Sequence, residues 1–415
     1  MPYSLLNKGF NTLPERLRES GYQSLYAMDE KRFANIDQRY GFDVQVGPKI
    51  GAGDFLFGFL SDLPLLNIVR QLPLSRLLFP YVYSNRALSA SYLGSDFVNE
   101  VDRGITSLKV DAPVFMVVHF CEPHWPYAYV SGKEMQNGWL SKFTGEGNFP
   151  NYLKALPRAD EQFSSVISSL RRAGRLENAL VFFVSDHGEA FARDKVTFRS
   201  AVGGKPFELF ALGHGTDVVQ KPQFQVLLAY QIYRNGELVS TPSHERSQRV
   251  SLLDIYPTVL QHVGLDAPQY LDGYSLLDRQ ERPDRKFFLE TDFNVSAVLK
   301  GNIDAGEAFA QGASAYRVEP NGYVSLRPEK IDEVMQQKEY SVLSGDQVLA
   351  FGNYQDGEPG FRFFDYSNME WRPIEGEDGD AAVLELQRAL CKQFAGDPLL
   401  IGLQVCQRLN VATVR

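Results

Sequence analysis

The apolar run Leu180–Val184 ends directly on Ser185-Asp186-His187-Gly188-Glu189, and this junction constrains the fold more tightly than any other stretch. A short run of large apolar residues closed by a turn signal predicts a buried strand. In open α/β sheets, ligands bind outside the C-terminal ends of the strands. An Asp and a His that leave such an end together reach one divalent cation, and the following glycine lets the backbone turn tightly. The competing reading is an ordinary turn with a helix-capping Asp. Two other segments weigh against it. Val117-Val118-His119-Phe120-Cys121-Glu122-Pro123-His124-Trp125-Pro126-Tyr127 also runs from an apolar stretch into polar residues. Gly213-His214-Gly215-Thr216-Asp217 places a histidine between two glycines, a setting open to close approach by a ligand.

The periodicity predicts helices over 12–22, 92–108, 152–174 and 250–263, and strands over 113–120, 179–185 and 225–233. Thr12 and Glu15 have the spacing of a capping box, so Thr12 reads as a helix N-cap. Strands alternating with helices imply an α/β fold with a largely parallel central sheet and helices on both faces. After about residue 284 the pattern changes to short runs separated by Gly, Asn and Asp: Lys286–Glu290, Val298-Leu299, Ala315–Val318, Tyr323–Leu326, Val348–Phe351 and Gly360–Phe364. These predict a small C-terminal antiparallel sheet, closed by helices over 380–393 and 398–409. The expected division is an α/β core over 1–284 and an α+β subdomain over 285–415.

A length of 415 residues with 44% hydrophobic content supports a large buried core. The net charge of -9 gives no basic patch for nucleic acid. The cysteines Cys121, Cys391 and Cys406 have no zinc-site spacing; a Cys391–Cys406 bridge is one open pairing. No signal peptide and no run of 18 apolar residues is visible. The segment 54–83 is rich in Phe, Leu and Tyr but broken by Pro64, Pro73 and Pro80, which excludes a span. It reads as a helical hairpin on the core or as a lipid- or membrane-facing surface carried by Phe55, Phe57 and Phe59.

With these motifs, the chain resembles the sulfatase branch of the alkaline phosphatase superfamily. That branch includes arylsulfatases, phosphonate monoester hydrolases, lipoteichoic acid synthases and phosphoethanolamine transferases. The resemblance runs from about Thr12 to Leu277. Thr12-Leu13-Pro14-Glu15 through Gly21-Tyr22 is similar to the family helix after the nucleophile segment. Tyr40-Gly41-Phe42-Asp43 matches its G-F-D loop. Asp254-Ile255-Tyr256-Pro257-Thr258 followed by Asp272-Gly273-Tyr274-Ser275-Leu276-Leu277 matches its late D-x-x-P-T and D-G-x-S-L signatures, and Phe363-Phe364-Asp365-Tyr366 is a weaker echo of a final strand. A phosphoglycerate mutase-like relative fits the Pro-His-x-Pro-Tyr and Asp-x-x-Pro-Thr segments less well.

The resemblance implies hydrolysis or transfer of a sulfate or phosphate ester at a divalent-metal site. It implies Asp186 and His187 as metal ligands, with imidazole favouring Mn or Zn over Ca. It implies His124 as the residue that binds ester oxygens or protonates the leaving group, and His214 as a further histidine on the substrate. Glu189 is expected to orient His187. His119, His244 and His262 read as ordinary histidines, and Arg193 and Lys205 as solvated loop charges. The family places an acidic strand end and a Cys, Ser or Thr nucleophile before the Thr-Leu-Pro helix. The expectation is therefore that an N-terminal segment is missing, that this chain binds metal weakly and turns over poorly, and that the whole protein is membrane-associated or periplasmic. The rival expectation is a catalytically degenerate module that binds an anionic lipid or a protein partner.

Overall fold

Thr12 closes the N-terminus of helix α1 (Leu13–Arg18). Its hydroxyl accepts the Glu15 N–H at 3.4 Å, and the Glu15 carboxylate accepts the Thr12 N–H at 2.8 Å. Two N–H groups without helical partners are satisfied reciprocally. The Thr12 hydroxyl also meets the Tyr40 carbonyl at 2.7 Å, so this side chain serves local structure, as its spacing to Glu15 predicts. The computed structural model describes residues 11–30, 36–48, 68, 72–86, 92–124, 127, 148–239, 249–268, 271–278, 285–291, 314–318, 324–353, 359–395, 397, 400 and 403–409.

Strand β1 (Gln23–Met28) lies between β2 (Val44–Val46) and β3 (Val114–His119) and runs parallel to both. Helix α2 (Gly94–Ser107) turns Phe97, Val101 and Ile105 inward, where they pack with Leu25, Ala27 and Val166. Val166 belongs to α3 (Asn148–Arg172), which carries Pro157 in its interior. Next come β4 (Asn178–Val184), β5 (Val196–Ser200), β6 (Phe207–Leu209), β7 (Leu228–Arg234) and β8 (Glu237–Leu238). A three-stranded sheet has the order β4-β7-β8. Asn235 and Gly236 turn between its last two strands with φ of 52° and 75°, the left-handed pair that a two-residue hairpin demands.

Helix α4 (Ile255–His262) precedes β9 (Phe287–Glu290), β10 (Tyr316–Val318), β11 (Val324–Leu326), β12 (Tyr340–Ser344), β13 (Gln347–Asn353), β14 (Pro359–Asp365), β15 (Glu370–Ile374) and helix α5 (Ala381–Gln393). The antiparallel sheet foreseen after residue 284 exists and is larger than its sequence suggests. Its order is β6-β5-β15-β14-β13-β12-β9, antiparallel at each junction except the parallel contact of β15 with β5. Two strands from before residue 284 thus complete it. Alternate residues of its central strands enter opposite cores. Leu349 and Phe351 pack with Leu386 and Leu390 of α5, while Val348 and Ala350 pack with Phe198 and Phe364. Both faces are covered, which is why the strands read as continuous apolar runs. Cys391 and Cys406 form a disulfide with a Cα–Cα distance of 5.4 Å. The architecture is α/β with a C-terminal sheet region.

The chain forms two compact units. One comprises Leu5–Phe182 and Tyr230–Ser243; the other comprises Met1–Ser4, Phe183–Ala229 and His244–Arg415. Among the described residues, no helix is long and apolar enough to cross a membrane. Of the apolar segment 54–83, residues 54–67 and 69–71 lie outside the described residues, including Phe55, Phe57 and Phe59. Its described end forms two short helices, Pro73–Leu78 and Pro80–Ser84, each opening on a proline. Val298-Leu299 and His244 also lie outside the described residues.

Buried polar clasps hold each unit. In the first, Asp29 follows β1 and is fully buried; it accepts the Tyr92 hydroxyl at 2.6 Å and the Cys121 N–H at 2.8 Å. Beside it, Glu30 and Arg86 form a buried ion pair at 2.7 Å. In the second unit, Asp254 is fully buried. One oxygen accepts Arg285 Nη1 at 2.7 Å and the Tyr274 N–H at 2.8 Å; the other accepts the Ser251 N–H at 2.9 Å. Thr258 Oγ1 accepts the Leu276 N–H at 2.8 Å. A Cβ on Gly273 would stand 1.9 Å from the Leu253 carbonyl oxygen. The D-x-x-P-T and D-G-x-S-L signatures are therefore the two halves of one structural clasp. Removing one partner of a buried pair strands the other charge, a loss of about 3–5 kcal/mol. We expect Asp254→Ala to lower urea-unfolding stability by about 3 kcal/mol or more; an unchanged midpoint would show that the clasp contributes nothing.

Glu122 is also buried, after β3. Desolvation, then repulsion from Asp29, pushes its carboxyl up to about 7. A carboxyl whose pKa is higher in the folded state contributes stability below its unfolded value, and this is lost as pH rises toward 7. The stability of Glu122→Gln relative to the parent should therefore increase between about pH 4.5 and pH 7. A flat difference across this range, measured by urea unfolding, would contradict the assignment.

Candidate functional site

The unit that contains Phe183–Ala229 places the Asp-His-Gly-Glu turn and the Gly-His-Gly loop side by side. Beyond β4, the Ser185 N–H donates to the Leu227 carbonyl at 3.0 Å, and the Leu227 N–H donates to Ser185 Oγ at 2.9 Å. Two residues on, the Gly188 N–H donates to the Gln223 carbonyl at 2.9 Å. A Cβ at Gly188 would lie 2.0 Å from the Pro222 carbonyl oxygen, so the close backbone approach requires glycine here. Ala190 and Gly213 then exchange two backbone hydrogen bonds, at 2.8 and 2.9 Å, in an isolated antiparallel bridge. Gly213 and Gly215 take φ of 79° and 69°, the left-handed conformation that frees the loop to present His214.

The result is a pair of stacked imidazoles. The rings of His187 and His214 have centroids 3.6 Å apart and planes inclined by 19°. Each offers a ligand nitrogen within 4.8 Å of the other's. His187 Nδ1 meets the Gly188 carbonyl at 2.7 Å. A carbonyl only accepts, so Nδ1 carries the proton and the basic lone pair is on Nε2. His214 Nδ1 meets Glu189 Oε2 at 2.8 Å, and the same logic puts its lone pair on Nε2. The Asp186 carboxylate accepts the His187 N–H at 3.0 Å and stands 3.6 Å from His187 Nε2. Asp186 is exposed, both rings are partly exposed, and the Glu189 side chain is only 10% exposed. The group thus gathers one hard oxygen and two imidazole rings in a partly exposed cluster.

Glu189 departs from the sequence expectation. Its carboxylate holds His214, not His187. Proximity in sequence suggested His187, but the Ala190–Gly213 bridge brings the residue 25 positions away to the Glu189 side chain, while His187 is served by its neighbour's carbonyl.

His124 belongs to the other unit. Its N–H donates to the Cys121 carbonyl at 3.0 Å, and its own carbonyl accepts the Tyr127 N–H at 3.0 Å and the buried Arg86 guanidinium. The Arg86–Glu30 pair therefore fixes the backbone from which His124 projects. Nothing in the sequence marked Arg86, Glu30 or Asp29, because their partners are 38 to 92 residues away. Trp125 and Pro126 lie outside the described residues. His119 ends β3 opposite Met28 and is half-buried. His262 occupies the last turn of α4, where a cation suits the helix dipole. Lys205 is exposed on the loop between β5 and β6, and Arg193 is part of a 3₁₀ turn.

Comparison with known proteins identifies the family. A family model described as Sulfatase matches residues 1–265. Bovine arylsulfatase K is 30% identical over 126 residues, covering 30% of this chain and 19% of that protein. The uncharacterized sulfatase YidJ of Escherichia coli K12 is 22% identical over 318 residues, covering 66% of this chain and 56% of that one. The chain thus spans about a fifth of the length of the arylsulfatase K it matches and just over half of YidJ. Among solved structures, a protein from work on glycosaminoglycan metabolism by Bacteroides thetaiotaomicron superposes with a TM-score of 0.53 at 14% identity, over 99% of this chain and 82% of that one; this likeness shows the fold. With a family match over more than half of its residues, the chain belongs to the sulfatase family.

Proposed function

We propose that this chain carries the machinery of a sulfatase-type ester hydrolase, with the stacked His187–His214 pair beside Asp186 as its centre. The single observation that carries the reading is the pair itself. Two imidazoles are stacked at 3.6 Å, each with Nδ1 engaged by a fixed acceptor, which leaves both Nε2 lone pairs as the available ligand atoms. The overall reaction consumes water: the sulfur–oxygen bond to the alcohol breaks, an oxygen adds to sulfur, and alcohol and sulfate leave. The same set accommodates a phosphate ester, whose non-bridging oxygens also carry negative charge.

The donors fit a divalent cation. Asp186 supplies a hard oxygen and His187 an imidazole nitrogen whose tautomer is set by the Gly188 carbonyl, a combination that suits Mn or Zn better than Ca. When bound, the cation neutralises negative charge on the ester's non-bridging oxygens. His214 lies against His187 and offers its Nε2 to the same anion. For His124, in the other unit, the family motif supports a general-acid role, a task suited to a histidine near neutral pH. The Cys391–Cys406 disulfide supports an oxidising compartment for the protein.

Sulfate binding by the full chain in the presence of Mn²⁺, followed calorimetrically, tests this reading, with hydrolysis of 4-nitrocatechol sulfate as a second readout. Asp186→Asn and His214→Ala should each weaken sulfate binding at least tenfold, and lower any turnover by about 10²–10⁴. Equal sulfate affinity and equal turnover in both variants, or no sulfate binding by the parent chain, would overturn it.

A further inference from the structure

We infer that Glu189 is the positioning residue that sets the tautomer and ring orientation of His214. The inference rests on His214 acting at the proposed site and adds a role for a side chain that touches no reacting atom.

Three observations carry it. The Glu189 side chain is 10% exposed, yet its Oε2 is 2.8 Å from His214 Nδ1. A carboxylate oxygen so far removed from water needs a donor, and the imidazole N–H supplies it. The distance is set by backbone, not by side-chain chance. Ala190 and Gly213, the residues next to Glu189 and His214, are locked by two hydrogen bonds. Gly213 also takes a φ of 79°, a conformation that disfavours any side chain and sets the turn from which His214 meets the carboxylate.

The chemical consequence follows from the acceptor. A neutral imidazole free in water prefers to hold its proton on Nε2. A carboxylate at Nδ1 reverses that preference, because the N–H to carboxylate bond is charge-assisted. His214 then keeps the Nε2 lone pair, on the far side of the ring from Nδ1, directed away from Glu189. Without the Glu189 carboxylate, the preference for Nδ1–H is lost, and the ring reverts to carrying its proton on the nitrogen that the site needs unprotonated. The neighbouring His187 takes its tautomer from the Gly188 carbonyl, so the two rings are set by separate acceptors and Glu189 governs only one of them.

Long-range ¹H–¹⁵N spectra of the metal-free full chain, labelled at histidine, read this directly at a pH where His214 is neutral. In the parent, His214 should show the Nδ1–H form. Glu189→Ala should shift it to the Nε2–H form and leave His187 in the Nδ1–H form. Glu189→Gln, whose neutral carbonyl is a weaker acceptor than the carboxylate, should show a smaller share of the Nδ1–H form than the parent and a larger share than Glu189→Ala. Sulfate affinity in the presence of Mn²⁺ should fall several-fold in Glu189→Ala while manganese affinity itself is unchanged, with circular dichroism confirming that the variant is folded. If Glu189→Ala does not fold, the comparison of Glu189→Gln with the parent decides. An unchanged His214 tautomer in the folded variants would overturn the inference even if the chain binds sulfate. A shifted tautomer in a chain that binds no sulfate would instead leave the positioning role standing and remove the proposed function.

Discussion

Two backbone hydrogen bonds between Ala190 and Gly213 determine what this unit can do. They join a strand-end turn to a glycine-flanked loop more than twenty residues later, and everything at the candidate site depends on that junction. A bond of this kind contributes only about 1 kcal/mol net. Its value here is geometric. Once formed, it places one ring on another at 3.6 Å and presents a nearly buried carboxylate to a ring nitrogen. Gly188 serves the same end from the other side, because a side chain there would collide with the Pro222 carbonyl. The motif's glycines are thus required by close approach of backbone, and its polar residues by what that approach brings together.

Buried ionic clasps provide the frame. Removing charges from water costs several kcal/mol per ion, so such pairs add little net stability but punish any rearrangement that separates them. Glu30 with Arg86 fixes the turn that carries His124, and Asp254 with Arg285 ties the start of α4 to the segment around Tyr274. These are specificity devices: each accepts one arrangement of the backbone and no other. The D-x-x-P-T signature, read as a family marker in the sequence, turns out to be a hydrogen-bonding requirement. Asp254 must cap the 3₁₀ turn, receive an arginine and hold the Tyr274 N–H at once.

Legibility in the sequence followed the range of the interactions. The strands β3, β4 and β7 and the helices α2, α3 and α5 were evident because each is an apolar pattern with its own start and stop signals. The cap at Thr12 was evident because its partner is three residues away. Strand β1 was not, since Gln23, Ser24 and Ala27 dilute its apolar character, and its burial derives from neighbours on both sides. Strands β5, β6 and β15 escaped for a similar reason: they are short, and their place in the large sheet is set by pairing across more than 160 residues. At the candidate site the motifs were visible but their wiring was not. Glu189 sits two residues from His187 in sequence, yet hydrogen-bonds His214, and only the fold reveals that exchange.

The central claim is that Asp186, His187 and His214 form one ligand-holding centre. Anomalous diffraction from a crystal of the full chain soaked with Zn²⁺ or Mn²⁺ tests it most directly. The account predicts a metal peak about 2.0–2.2 Å from the Asp186 carboxylate and from a ring nitrogen of His187, with His214 bordering the same site. A well-occupied peak elsewhere, with these three side chains left unligated, would contradict it.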